Sequence, residues 1–529
     1  MGERAEAPPV SFIPAVAMSW SMKGIIEGFY GRPWTWQERV ELCQWCAARG
    51  MTDYLYAPKD DPLHRQQWRD LYPQDWLTEF SRFTEQAGVR VGFAISPGLS
   101  IDYRSSTDRT ALLDKIRQVL DQGVQVVGLL LDDIDVRPGL GEDHADLTAW
   151  LRGALPEDCL LLLTPTIYTG VEPTPYLDAL ARGVPPEVPI AWTGWTVVAD
   201  QLTATEARLR AAALGGRPPL VWDNYPANDM IMADRLHLGP LRGRDPLLAE
   251  ACWGYLANPM NQPRASRPAL ASIAAWLDGQ DPLEGWAGET GSYRLFAEAC
   301  DGVRPVELAE GLARAVEGRS GDWPASGRRF VSWLDRLADA PDPTGVLSEE
   351  VRPWVDQVTK EAGCCSSAVR LIQAVHPVAS LDHRGNGRVV ASDGDGATLQ
   401  GFTLMLAWPD ARRDGVTAFG SRGSFRPVLG QSSRGDWRMH SGSLEQSDNA
   451  TDRLVRLAFA LLDCCDDSLP EVFCGDRKLE VAPDGSFSAP PGQAVTLHGR
   501  FLRTSVQPGA ALPYEDTRLG PSRPAPAQP

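Results

Sequence analysis

Two aspartates, Asp132 and Asp133, follow directly on the apolar run Val126-Val127-Gly128-Leu129-Leu130-Leu131. Such a run reads as a strand buried on both faces, and carboxylates at its C-terminal end stand where an α/β barrel keeps its chemistry. Paired carboxylates suit cleavage of a glycosidic bond. One protonated acid gives its proton to the leaving oxygen while another group stabilises the positive charge that develops at the sugar carbon. Taken alone, the pair has a plainer explanation, with one carboxylate capping the next helix and the other in solvent. Neighbouring side chains in a regular strand point to opposite faces. Both aspartates can therefore face one substrate only if the chain leaves strand geometry there; otherwise one holds the other.

Other polar and aromatic residues fall at comparable positions. Tyr30, Tyr168, Trp192, Trp195, Trp222 and Tyr225 could wall a sugar, whose C–H faces pack on rings, although barrel cores use aromatics too. Lys59 follows a second buried-strand pattern between Pro58 and Asp60-Asp61, which makes it either an ion-pair partner or a donor to substrate oxygens. Asn224 and Asn258 are strand-end asparagines, and such residues often only close loops. Cys43-x-x-Cys46 lies within an amphipathic helix without a second ligand pair at finger spacing, so it reads as packing. Neither a metal site nor a cofactor is expected.

The elements that must position these residues alternate short apolar runs with helical periods from about residue 23 to 280, the signature of a parallel sheet wrapped by helices. Candidate strands are Gly24–Glu27, Asp53–Ala57, Val91–Ile95, Val126–Leu131, Leu160–Leu163, Pro189–Trp192, Leu220–Trp222 and Glu250–Tyr255. Eight strands in about 250 residues predict a (β/α)8 TIM-type barrel. Just past them stand Gly28-Phe29-Tyr30, Lys59, Ser96, Asp132-Asp133, Tyr168, Thr193, Asp223-Asn224 and Asn258. Thr35-x-x-Glu38 is a capping box opening the first helix, and Gly50 closes it. Residues 1–22 read as a flexible N-terminus and 281–465 as a mainly helical bundle. Its helices are expected at Tyr293–Gly302, Val306–Ala315, Arg328–Ala338, Ala362–Val375, Leu399–Ala407 and Asp452–Leu462, with a long loop at Gly415–Ser447. Residues 466–505 read as a small β element turning at Pro483-Asp484-Gly485, and 506–529 as a disordered Pro-rich tail.

Composition sets the broad class. Of 529 residues 43% are hydrophobic, enough for a large core, and the net charge of −18 argues against affinity for nucleic-acid phosphates or anionic membranes. The N-terminus lacks the basic start and long apolar core of a secretory signal, and nothing approaches the roughly 18 apolar residues of a membrane span, so a cytoplasmic protein is expected. Ten cysteines, four of them in two adjacent pairs, make no disulfide framework.

Six ordered blocks resemble the β-N-acetylglucosaminidases of glycoside hydrolase family 84, which includes protein O-GlcNAcases and some bacterial hyaluronidases. They are Gly24-Ile-Ile-Glu-Gly-Phe-Tyr-Gly-Arg-Pro-Trp34, Tyr56-Ala-Pro-Lys-Asp-Asp61 with His64-Arg65, Phe93-Ala-Ile-Ser-Pro-Gly98, Leu131-Asp-Asp-Ile-Asp135, Trp192-Thr-Gly194, and Trp222-Asp-Asn224 with Ala227-Asn-Asp229. The resemblance implies retaining, substrate-assisted hydrolysis through an oxazoline. In that scheme Asp132 polarises the 2-acetamido group, and Asp133 serves first as acid and then as base. An acid kept protonated near neutral pH is then required, which partial burial and an anionic Asp132 would favour. The resemblance further places Gly28, Lys59, Asp229 and Asn258 on the sugar and Asn224 on the acetamido group. It sets Tyr168 by the reacting oxygen and Trp222 as a pocket wall, with Thr193 and Val197 lining. It also implies a β-GlcNAc-bearing glycoprotein or glycan as partner, and a homodimer. Met230 stands where animal relatives carry tyrosine, and the loop after Gly170 is shorter. Rival readings are a hyaluronidase or cell-wall hexosaminidase of the same chemistry, and a GlcNAc-binding sensor without turnover.

Overall fold

A computed structural model describes residues 20–301 except 234, and a discontinuous set of residues from 304 to 506. Eight short strands, β1 (Lys23–Glu27), β2 (Asp53–Tyr56), β3 (Arg90–Ile95), β4 (Val126–Leu130), β5 (Leu160–Thr164), β6 (Ala191–Trp192), β7 (Leu220–Asp223) and β8 (Gly254–Ala257), form one sheet. Their order is β5-β4-β3-β2-β1-β8-β7-β6 and every named pairing is parallel. A parallel bridge between Leu163 and Ile190 joins the two ends, so the sheet closes. Helices α1 (Trp36–Ala47), α2 (Gln74–Gln86), α3 (Ser106–Leu120), α4 (Leu140–Ala154), α5 (Pro175–Gly183), α6 (Ala204–Ala213), α7 (Leu248–Ala251) and α8 (Pro263–Leu277) follow the strands as crossovers. This is the expected (β/α)8 barrel.

Burial explains why the strands read as continuous apolar runs. Alternate residues face inward or toward the helices, and both sets leave water: Val127 and Leu129 pack in one cluster with helix residues, while Val126 and Leu130 pack with Ile26, Leu55 and Leu256 in the other. The Thr35 side chain caps α1 and Glu38 reaches back to the Thr35 N–H at 2.6 Å, completing the capping box; Gly50 then turns the chain with φ of 76°. The eighth strand corrects the sequence reading. Leu248–Ala251 is one turn of helix, and the strand begins only at Gly254, where Lys23 of β1 aligns with Tyr255. A run of four apolar-rich residues satisfies either period, and neighbouring pairing decides it. Asn258 then stands directly after the strand.

Two buried ion pairs fix the strand ends that carry the rim. Glu27 ends β1 fully buried and accepts from Arg39 of α1 at 2.8 Å through both oxygens, from the Trp34 N–H at 3.1 Å, and from the Tyr54 hydroxyl. Asp223 ends β7 and accepts from Arg244 at 2.7 and 2.6 Å and from Tyr255. Cys43 and Cys46 are both buried in the core, and burial pushes the Cys46 thiol up to about 12.

The chain divides into two compact units, the first ending at Gly291 apart from Val346–Ser348. In the second, helices occupy Arg294–Asp301 and Trp323–Ala338, close to two of the expected positions. Strands Ser380–Arg384 and Arg388–Ser392 pair as a hairpin. A six-stranded sheet combines Val428–Gln431 and Trp437–His440 with four strands between Glu471 and Val506. Strands thus occur within the stretch expected to be helical, including the expected loop at Gly415–Ser447. The expected helices Leu399–Ala407 and Asp452–Leu462, most of Ala362–Val375, the Pro483-Asp484-Gly485 turn, the first 19 residues and the tail beyond 506 lie outside the described residues. Among the described residues no helix is long and apolar enough to cross a membrane.

Replacing Arg39 by methionine would leave Glu27 charged and unpaired in the core. Breaking such a pair costs about 3–5 kcal/mol, so urea denaturation should show a much lower midpoint for Arg39→Met than for wild type. An unchanged midpoint would mean that the pair does not hold β1 to α1.

Candidate active site

Strand β4 stops at Leu130, and the Leu131 N–H donates to the Thr164 carbonyl at 2.8 Å, carrying the pairing one residue further. Asp133 then adopts φ of 53°, in the left-handed region. This departure from strand geometry sets the side chains of Asp132 and Asp133 in one cavity instead of on opposite faces. Aspartate enters that region more readily than most residues, at a cost of roughly 1–2 kcal/mol. The turn is braced from β5. The Thr166 hydroxyl donates to the Leu131 carbonyl at 2.6 Å, and the Thr166 N–H donates to the Tyr176 hydroxyl at 2.9 Å. Tyr176 in turn contacts His144 Nδ1 at 2.8 Å, and His144 Nε2 lies 2.9 Å from the Tyr103 hydroxyl. Burial drives the His144 pKa down to about 3, so the ring stays neutral in this chain of hydrogen bonds.

The cavity has a volume of about 240 Å³ and is lined by the eleven residues expected to be catalytic or sugar-binding, Gly28, Lys59, Asp132, Asp133, Tyr168, Thr193, Val197, Trp222, Asn224, Asp229 and Asn258; of the other candidate wall aromatics Tyr30 lines it, whereas Trp192, Trp195 and Tyr225 are not among its lining residues. One wall is a hydrogen-bonded unit. Asn224 Oδ1 accepts from Trp222 Nε1 and from Asn258 Nδ2, both at 2.9 Å, while Asn224 Nδ2 donates to the Val197 carbonyl at 2.8 Å. Asn258 Oδ1 accepts from the Gly28 N–H at 3.1 Å. Gly28 is required here because a Cβ would lie 2.4 Å from Cζ2 of the Trp222 ring. Opposite, the Tyr30 N–H donates to Asp229 Oδ2 at 2.7 Å, and burial raises the Asp229 pKa above its ordinary value. Thr193 spends its hydroxyl on the Thr196 carbonyl at 2.9 Å, so it shapes the loop after β6.

Lys59 sets the electrostatics. Buried almost completely, it donates to Asp132 Oδ2 and lies 3.6 Å from Asp133 Oδ2. The other Asp132 oxygen, Oδ1, is buried and has no hydrogen-bond partner among the described residues. An unpaired buried acceptor is costly, and a donor brought by a ligand would satisfy it. Asp133 accepts from the Tyr30 hydroxyl at 2.7 Å and from Tyr168 at 3.3 Å, with Arg65 at 3.7 Å. Burial pushes the Asp133 carboxyl up, but the Lys59 charge, the Tyr30 hydroxyl, Arg65 and Tyr168 outweigh it and hold the carboxyl below the ordinary aspartate range. This corrects the expectation of an acid protonated in the empty site. Lys59 answers the negative charge of Asp132 that was expected to repel Asp133. The same arrangement raises both phenols, Tyr30 to about 12, through burial first and the Asp133 carboxylate second.

Sequence reasoning undervalued Tyr30 and Arg65. The sequence marks Tyr30 as a rim aromatic, yet its hydroxyl bridges Arg65 Nη1 at 2.6 Å to Asp133. Its place directly past β1 was the available signal; nothing local marked the hydrogen bond to a residue 103 positions away. Thr164, Ala191, Val198, Met230 and Met232 also line the cavity.

The family model described as beta-N-acetylglucosaminidase matches residues 23–287. The protein O-GlcNAcases of Rattus norvegicus and Mus musculus are each 32% identical over 271 residues, a match covering 48% of this chain. It spans 29% of the length of those relatives. Among solved structures, a mutant of the Thermobaculum terrenum O-GlcNAc hydrolase superposes with a TM-score of 0.61 at 27% identity, over 67% of this chain and 84% of that one. CpGH84B shares the fold, with a TM-score of 0.60 at 24% identity over 67% and 70% of the two chains.

Alanine at position 28 would drive its Cβ into the Trp222 ring. Overpacking of this kind costs about 1–3 kcal/mol, and chemical denaturation of Gly28→Ala should show that loss. Full stability would mean that the loop after β1 yields and that the close approach has no structural consequence.

Proposed function

This chain belongs to the beta-N-acetylglucosaminidase family, and from that premise we propose that it is a retaining glycoside hydrolase releasing terminal β-linked GlcNAc, including from Ser or Thr of glycoproteins. The observation that carries the reading is the left-handed turn at Asp133. It gives one cavity two adjacent carboxylates in different environments, Asp132 buried with one oxygen unpartnered and Asp133 open to the groove beside Tyr168. A 2-acetamido N–H meets the unpartnered Asp132 oxygen, with the acetamide resting on Trp222 and Asn224. Its carbonyl oxygen attacks the anomeric carbon as the bond to the leaving oxygen breaks, and Asp133 supplies the proton that the leaving oxygen takes. An oxazoline results in its protonated form, with the N–H proton still on nitrogen and held by Asp132. Asp133, now a carboxylate, takes a proton from water as that water attacks the same carbon and reopens the ring. Two inversions give retention.

The low resting pKa of Asp133 belongs to this scheme. Sugar hydroxyls compete for Lys59 and Tyr30, and the sugar excludes water. The influences holding the carboxyl down are weakened while burial remains, so occupancy raises the pKa toward the acid form. A homodimer and cytoplasmic residence belong to the same reading through its likeness to the O-GlcNAcases.

With 4-nitrophenyl β-N-acetylglucosaminide, wild type should release nitrophenol. Asp133→Asn should hydrolyse it slowly, because the good leaving group needs no acid but the water needs a base, and azide should restore turnover as a β-glycosyl azide. Folded wild type that binds a GlcNAc analogue without releasing nitrophenol would replace the hydrolase with the sensor reading. Depolymerised hyaluronan or cell-wall glycan, without GlcNAc release from a glycopeptide, would select the polymer reading.

Tyr30→Phe removes a hydrogen bond that favours the Asp133 carboxylate, so its pKa should rise and the acid form persist to higher pH. The descending basic limb of kcat/KM should move to higher pH. A limb that stays put or moves down would remove Asp133 as the group behind it.

A further inference from the structure

The cavity adjoins a larger depression of about 540 Å³, which shares Asp133, Tyr168 and Val197 with it. The depression continues over Gly98, Ile134 and Asp135 into a third hollow of about 580 Å³. These three hollows form one groove leading away from the sugar on the Asp133 side. Since Asp133 faces the leaving oxygen, whatever the sugar is attached to must lie along it.

The middle of the groove is lined by two carboxylates, Asp133 and Asp135, and by no lysine or arginine. Further out, Asp143 pairs with Arg137 at 2.5 Å and Arg104 at 3.8 Å, while Asp102 accepts the Arg104 backbone N–H at 3.0 Å, so two arginines stand among the carboxylates there. Asp135 is exposed and makes no hydrogen bond or ion pair among the described residues. When Asp133 carries the catalytic proton, Asp135 holds the only formal charge among the described residues that line the middle hollow. Two chain steps separate the two aspartates, which places their Cα atoms within about 7 Å, the rise of two residues of an extended peptide. The rest of that lining combines Leu99 and Val197, each about half exposed, and Ile134 with the hydroxyl-bearing Thr166, Tyr168 and Thr169, a mixed surface that offers a peptide both apolar contacts and hydrogen bonds.

We propose that this groove takes the polypeptide on which the sugar is carried and favours a lysine or arginine within two residues of the glycosylated serine or threonine, read by Asp135. The proposal rests on the hydrolase reading above. The overall charge of −18 works in the same direction by attracting cationic segments.

The test uses equal-length GlcNAc-serine peptides with lysine, alanine or glutamate at each of the two positions on either side. The kcat/KM of each is taken relative to 4-nitrophenyl β-N-acetylglucosaminide with the same enzyme. Wild type should prefer lysine over glutamate about three- to fivefold at one or more positions, with the preference fading at about 0.5 M salt. Asp135→Asn should erase it and Asp135→Lys should reverse it toward glutamate. Equal rates for all wild-type peptides, or a lysine preference that survives in Asp135→Asn, would overturn the assignment while nitrophenol release kept the hydrolase reading intact. Failure to release nitrophenol would overturn both.

Discussion

Carboxylates on consecutive residues repel one another, and in this barrel the charge that offsets the repulsion is Lys59. Its ammonium bonds Asp132 and stands 3.6 Å from Asp133. With an effective dielectric of about 20, unit charges at such a distance attract by about 4–5 kcal/mol. The left-handed conformation of Asp133 costs roughly 1–2 kcal/mol. Desolvation can consume half of the gross attraction and the turn still stands. Lys59 is therefore what permits two adjacent aspartates to share a cavity, and the site's remaining geometry is arranged around that permission.

The barrel supplies rigidity where that balance needs it. Lys59 follows β2, the aspartates follow β4, and the Asn224–Asn258–Gly28 unit ties the ends of β7, β8 and β1 together through side-chain hydrogen bonds. Behind the rim, the Glu27–Arg39 pair holds β1 to α1 and the Asp223–Arg244 pair holds the end of β7 to the far part of the loop that follows it. Buried ion pairs add little net stability over apolar packing, but they fix direction. At Asp223 the direction fixed is that of β7, which presents Trp222 and Asn224 on either side of it.

Much of this was legible in the sequence because barrel chemistry has a positional rule: polar residues after apolar runs converge on one rim. Applied to eight candidate strands, the rule and the family resemblance together named eleven residues that meet in one cavity, while Ser96, Trp192, Trp195 and Tyr225, named by the rule or by residue type alone, are not among its lining. The eighth strand was misplaced because Leu248–Ala251 fits a helical turn and a strand equally well, yet Asn258 survived the error since only the strand end matters to the rim. What could not be read was the Tyr30–Asp133–Arg65 arrangement, which joins the ends of three separate segments by side-chain geometry. The direction of the Asp133 pKa was misread for the same reason. Adjacent carboxylates alone argue for a raised value, and only the folded chain puts a lysine between them.

That reversal bears on how the proposed reaction is driven. An aspartate held anionic in the empty cavity is already suited to activate water, the second half of the cycle, and poorly suited to protonate a leaving group, the first half. The contacts that lower its pKa come from Lys59 and Tyr30, groups that a sugar in the cavity would engage. Binding energy from the sugar hydroxyls is then used to loosen the grip on Asp133 and leave burial in control of its proton, a use of remote binding interactions at the reacting centre. When the leaving group departs with the proton, the carboxylate it leaves behind faces the water that enters the groove and would act as the base. In the proposed reaction a single aspartate can serve as acid and then as base because giving its proton to the leaving group is the step that creates the carboxylate water needs, and the occupied site only has to favour the acid form at the start.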